Sequence, residues 1–266
     1  MMDNFAQYPV VIQTLIATCF TWLITTFGAL PALFFKKINK DILNIMLGFS
    51  AGVMVAASFF SLLSPAIALS EEMESVPWLA TSGGFLVGGL FLKLTDMLLR
   101  RLKRTRSLSS GGRRTFLLVL SVTVHNIPEG LAIGVAFGAA ALGISGATLV
   151  DAVMLALGIG IQNFPEGTAV AMPLLQQGMK RSRAFFWGQV SGAVEPVAGV
   201  LGVLLIGLVR PILPFVLAFA AGAMIYVVID ALIPGGSDGE GIVDGKLTMG
   251  AMLGFAIMMC LDVALG

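Results

Sequence analysis

The segment His125-Asn126-Ile127-Pro128-Glu129-Gly130 recurs as Gln162-Asn163-Phe164-Pro165-Glu166-Gly167, each copy in the middle of a long apolar run. Residues four apart share a helix face, so His125 with Glu129 and Gln162 with Glu166 form two matching polar edges, with Asn126 and Asn163 beside them. A third acid, Glu195, falls near the centre of another apolar run. Imidazole, carboxylate and amide oxygen together make a mixed donor set suited to zinc or another first-row divalent ion, whereas Ca²⁺ and Mg²⁺ favour oxygen-only shells. The competing chemistry is a proton relay, in which the same carboxylates are partly protonated. Pro128 and Pro165 each remove a helical hydrogen bond and are expected to kink their helices, while Gly130 and Gly167 permit close approach.

The elements that position these residues are membrane helices. The chain is 57% hydrophobic and 12% charged, with a mean hydropathy of +0.95, far more apolar than a soluble domain. Runs long enough to cross an apolar core of about 30 Å, which takes about 20 helical residues, fall at 9–35, 42–69, 76–99, 115–141, 149–175, 184–209, 212–234 and 247–265. The expected fold is an all-α membrane protein of eight transmembrane helices, a single polytopic domain over 1–266. The first run lacks a basic leader and is followed by Lys36, Lys37 and Lys40, so it is expected to stay as a membrane anchor.

Basic residues gather in the connections after the first, third, fifth and seventh runs, while Glu71, Glu72 and Glu74 fall on the other side. By the positive-inside rule both termini point outward and the protein belongs in the plasma (inner) membrane. This layout orients the chain and gives no reason to expect nucleic-acid binding. The Arg-, Ser- and Gly-rich connection at 100–114 reads as a disordered cytoplasmic loop. Cys19 and Cys260 lie inside predicted spans, so no disulfide framework is expected.

A second repetition runs through the chain. Phe49-Ser50-Ala51-Gly52-Val53-Met54-Val55 returns as Phe219-Ala220-Ala221-Gly222-Ala223-Met224-Ile225, and Gly88 with Asp96 matches Gly254 with Asp262. Spans 1–3 are therefore expected to repeat as spans 6–8, inverted, around spans 4–5. A binding site at the interface of inverted repeats is a transporter pattern.

Eight spans with His-Asn-x-Pro-Glu-Gly in the fourth and Gln-Asn-x-Pro-Glu-Gly in the fifth resemble the ZIP (Zrt/Irt-like) family of divalent metal transporters, in its GufA-like branch. The likeness extends to Met46–Met54, to Ser191-Gly192-Ala193-Val194-Glu195-Pro196, to Gly222-Ala223-Met224-Ile225 and to Leu261-Asp262. The resemblance implies a two-ion transport site. His125, Glu129, Gln162 and Glu166 with the thioether of Met54 would hold one ion, and Asn126, Asn163 and Glu195 with the shared Glu129 and Glu166 the second. A soft thioether ligand tilts preference toward zinc and cadmium over manganese. The metal is cargo on this reading, with iron as a further candidate and no catalytic cofactor, and the resemblance also implies a homodimer.

Several departures sharpen the expectation. Many relatives begin the fifth-span motif with His where this chain has Gln162, and some carry Asp where it has Asn163. Where relatives place His-Glu near the inner end of span seven, this chain has Asp230-Ala231, leaving Asp230 and Asp96 as candidates for the exit path. Two other functions compete. An intramembrane zinc-dependent hydrolase would usually need two or three histidines, and this chain has one. A proton-coupled carrier of organic solutes would use the carboxylates without needing Gln162 and both asparagines.

Overall fold

The computed structural model describes residues 5–36, 39–73, 76–105, 110–144, 147–176, 178–232 and 245–265. Every regular element among them is helical. In order they are α1 (Val10–Ala29), α2 (Pro31–Phe34), α3 (Lys40–Ala57), a π-helical segment (Ser58–Leu63), α4 (Ser64–Glu72), α5 (Pro77–Thr105), α6 (Ser110–Ala141) and α7 (Leu149–Gln176). There follow α8 (Arg181–Val190), α9 (Val194–Val209), a 3-10 turn (Arg210–Ile212), α10 (Leu213–Val227), a second π-helical segment (Val228–Leu232) and α11 (Gly245–Leu265).

Among the described residues, six stretches are long and apolar enough to cross a membrane: Val10–Phe34, Lys40–Glu72, Pro77–Leu98, Arg181–Leu208, Leu213–Asp230 and Gly245–Ala264. They coincide with six of the eight expected runs. The other two runs are α6 and α7, helices of 32 and 28 residues that carry the duplicated motif. At a rise of about 1.5 Å per residue, each is longer than the apolar core of a bilayer is thick. Helical backbone reaches into the connection expected to be disordered, up to Thr105 on one side and from Ser110 on the other. Residues 106–109, along with Lys37 and Glu74, lie outside the described residues.

Local chemistry sets the helix ends. At the start of α7, Thr148 and Asp151 cap each other: Thr148 Oγ1 accepts from the Asp151 amide at 3.1 Å and Asp151 Oδ2 accepts from the Thr148 amide at 2.9 Å. Asn39 Oδ1 accepts from the Asp41 amide at 2.8 Å to open α3, and Asp41 pairs with Lys246 near the start of α11. The chain leaves α6 through Gly143, whose φ of 62° suits glycine. Both α6 and α7 continue as helix through the motif prolines Pro128 and Pro165. Lacking an N–H, these prolines leave the carbonyls of Val124 and Ile161 without their helical donor.

Four helix pairs make the body of the fold: α1 with α7, α6 with α9, α3 with α11 and α5 with α10. Contacts of α7 with α3 and α6, and of α1 with α9, bring these pairs around the duplicated motif. Each pair closes on glycine. Gly52 faces the Ala251 carbonyl and Gly254 that of Phe49, while Gly222 faces the Phe85 carbonyl and Gly88 that of Phe219. Within the motif, Gly130 lies against the Glu195 carbonyl and Gly167 against that of Thr25. A Cβ at any of these glycines would collide with the facing oxygen. Lipid offers little hydrophobic drive for helices to associate, so such close backbone approach supplies the dispersion contacts that hold them together.

Candidate metal centre

The two copies of the motif meet. Gln162 Nε2 donates to Glu129 Oε1 at 2.8 Å, joining α7 to α6. Ser50 on α3 donates from Oγ to Glu166 Oε1 at 3.0 Å. On the other side of α7, Asn163 Nδ2 reaches Glu195 Oε1 at 2.9 Å and Oε2 at 3.0 Å. The hydroxyl of Thr21 on α1 also donates to Glu195 Oε2. Asn126 Nδ2 donates to the Ser191 carbonyl at 3.0 Å. Glu129, Glu166 and Glu195 are thus within electrostatic range of one another, and Asn126, Glu129, Gln162, Asn163 and Glu195 are all buried.

These bonds decide which way each amide faces. At all three amides the nitrogen is committed to a protein acceptor, which fixes the assignment of oxygen and nitrogen and turns the oxygen the other way. Asn126 Oδ1, Gln162 Oε1 and Asn163 Oδ1, together with Glu129 Oε2, are buried without a hydrogen-bond partner. An unsatisfied buried acceptor costs about 1–3 kcal/mol, so each of the four calls for a partner, and an ion or a buried water can supply it. A proton answers only the carboxylate, because an amide oxygen accepts hydrogen bonds without taking up a proton.

The remaining expected residues take up flanking positions. Met54 is buried on α3 one turn beyond Ser50, hence on the helix face that Ser50 turns toward Glu166. His125 is half-buried one turn before Glu129 and lies within electrostatic range of Asp96 on α5 and Asp230 in the second π-helical segment. Among the described residues no three His, Cys, Asp or Glu side chains gather as a ready-made metal cage. The buried polar groups of the motif include three amide oxygens besides the carboxylates.

Residues 101–262 match the sequence model of the family described as ZIP Zinc transporter. The protein named Zinc transporter ZIP11 of Xenopus tropicalis is 39% identical, with all of both chains covered. The human Zinc transporter ZIP11 is 37% identical over 96% of this chain and 98% of its own. Zinc transporter GufA of Myxococcus xanthus is 36% identical over 95% of this chain and 98% of its own.

The chain belongs to the ZIP zinc transporter family.

Among the described residues of this ZIP chain, the buried acids are Glu129, Glu166 and Glu195. Three polar partners of the site were not anticipated from the sequence: Ser50, Thr21 and the Ser191 carbonyl. The first two had a signal. Ser50 lies four residues before Met54, and Thr14, Thr18, Thr21 and Thr25 recur at helical spacing as a hydroxyl stripe, all of it buried. The Ser191 carbonyl is a backbone group and left no mark in residue type. Ser50→Ala removes the hydrogen bond to Glu166, worth about 1 kcal/mol. It is expected to raise the KM for zinc uptake by about fivefold, with a melting temperature in detergent close to wild type.

Proposed function

We propose that this chain carries divalent transition-metal ions, zinc foremost, across the membrane toward the cytoplasm through a site at mid-depth between α6 and α7. The observation that carries the proposal is the set of three buried amides within the duplicated motif, each with its nitrogen committed to a protein acceptor and its oxygen left without a partner. The named relatives are zinc transporters, which supports zinc over other ions. His125, Glu129, Gln162, Glu166 and Met54 make the ion's main ligand set, with Asn126 and Asn163 adding amide oxygens. The single histidine weighs against a zinc hydrolase, which would usually hold its metal with two or three.

Eight spans with both termini outside, arranged as an inverted repeat, are part of the same proposal. The contacts support it. One constant step in numbering carries Phe49 and Gly52 to Phe219 and Gly222, and another carries Phe85 and Gly88 to Ala251 and Gly254. Under these two steps the glycine contacts of α3 with α11 become those of α5 with α10. The first step also carries the start of one π-helical segment, Ser58, to the start of the other, Val228. It likewise carries Thr21, whose carbonyl accepts from Asn163, to Ser191, whose carbonyl accepts from Asn126. Transport follows from one half rocking against the other around the site, with His125, Asp96 and Asp230 forming the inner path of release.

Uptake of zinc into vesicles containing the purified protein tests the proposal; wild-type uptake no faster than in empty vesicles would refute it. A second measurement concerns selectivity. Met54→Leu keeps the side chain's bulk but removes the soft thioether, so cadmium uptake is expected to fall more than manganese uptake. An unchanged ratio of the two would remove Met54 from the ligand set.

A further inference from the structure

The step in numbering that carries Phe49 and Gly52 to Phe219 and Gly222 also carries Met54 on α3 to Met224 on α10. Both methionines are buried, each 1% exposed. On α3, Ser50 bonds Glu166 and Met54 follows one turn later on the same face. Met224 holds the matching place with respect to the other copy of the motif, the one that carries His125 and Glu129.

The contacts of α10 settle which edge of the helix Met224 occupies. Gly222 lies against the Phe85 carbonyl, and Gly88 against the Phe219 carbonyl and the Ala223 amide, so that edge is given to α5. At 3.6 residues per turn, Met224 falls on the opposite edge, with Leu217 and Ala220. Those two line a cavity together with Pro128 and Ala132 of α6. Farther along the chain, Asp230 lies within electrostatic range of His125. Moving from Ala220 to Asp230 therefore accompanies moving back along α6 from Ala132 and Pro128 to His125. Met224 lies between these two points, on the edge that meets α6, and so faces the turn bounded by His125 and Glu129.

We propose that Met224 is a second soft ligand of the transported ion, joining His125 and Glu129 in one half of the site as Met54 joins Gln162 and Glu166 in the other. This rests on the transport-site reading above. A thioether and an imidazole make the Met224 half the softer of the two, and it is also the half nearer Asp96 and Asp230 on the inner path of release. Preference for zinc and cadmium over manganese is then set twice along the ion's route, once at each methionine.

Methionine also fills irregular gaps in cores, so the test has to separate coordination from packing. Uptake of cadmium and of manganese is measured in proteoliposomes containing the full-length protein, with melting temperature in detergent as the check on folding. Met224→Leu keeps the volume and removes the sulfur. The ratio of cadmium to manganese uptake is expected to fall about fivefold, the factor that about 1 kcal/mol of differential binding gives, with the melting temperature close to wild type. Met224→Ile gives the same reading should the leucine variant fail to fold. Met172 is the control: it is fully buried on α7 in a separate apolar cluster with Ala29, Ala32 and Ala184, and Met172→Leu should leave the ratio unchanged. A wild-type ratio in the folded Met224 variant, or an equal fall in Met172→Leu, would overturn the ligand role of Met224 while leaving the transport site standing. Wild-type protein that moves neither ion faster than empty vesicles would overturn both.

Discussion

Glu129→Ala and Glu166→Ala are each expected to reduce zinc uptake into proteoliposomes by about 100-fold or more. Each glutamate belongs to one copy of the duplicated motif, and each is held by a neutral donor, Gln162 for Glu129 and Ser50 for Glu166. These donors orient the carboxylates without cancelling their charge, which leaves that charge for the ion. Removing one partner of a buried charge pair typically costs about 3–5 kcal/mol, and 1.4 kcal/mol is a factor of about ten. Glu129→Gln is the informative companion. Its amide oxygen can still accept from Gln162 and its volume is nearly unchanged, so the fold should hold while transport is lost. Uptake is to be normalised to folded protein, with melting temperature in detergent as the control. If both alanine variants keep more than a tenth of wild-type uptake, the two glutamates do not carry the ion.

The pairs His125/Glu129 and Gln162/Glu166 were legible in the sequence because a helix repeats its faces every three to four residues and an acid deep in an apolar run has few innocent explanations. The bond from Gln162 to Glu129 joins one residue of each edge. What the sequence hid was the set of partners. Thr21, Ser50 and Ser191 are small residues of a kind common in membrane spans for packing alone, and each acts on a residue far along the chain. The two π-helical segments were hidden too, because an i→i+5 hydrogen-bond pattern has no residue signature. Helix in the basic connection, which reads as disordered from its Arg, Ser and Gly content, extends to Thr105 and from Ser110. Composition fixes which segments avoid water; it says little about how far a helix, once nucleated, continues beyond the bilayer.

Gly52→Ala and Gly222→Ala are expected to destabilise the protein to the same degree. A Cβ at Gly52 runs into the Ala251 carbonyl, and a Cβ at Gly222 runs into the Phe85 carbonyl. Backbone cannot rotate aside as a side chain can, so each substitution has to move a helix, at a cost of about 1–3 kcal/mol. Gly207, where an added Cβ would meet nothing within 4 Å, is the control: there alanine should be neutral or slightly stabilising, since it is the better helix former by about 1 kcal/mol. Melting temperatures of the three variants in detergent provide the measurement. Equal losses for the two members of the pair follow if α3 with α11 and α5 with α10 are the same interface made twice. If one variant melts near wild type while the other collapses, the matching glycine contacts do not reflect a shared packing unit, and the inverted repeat loses its main energetic support. The motif glycines extend the same logic to the site: Gly130 against the Glu195 carbonyl and Gly167 against that of Thr25 are a matched pair. There a displaced helix would also misplace the carboxylates, so Gly130→Ala and Gly167→Ala should cost transport beyond what their loss of stability accounts for.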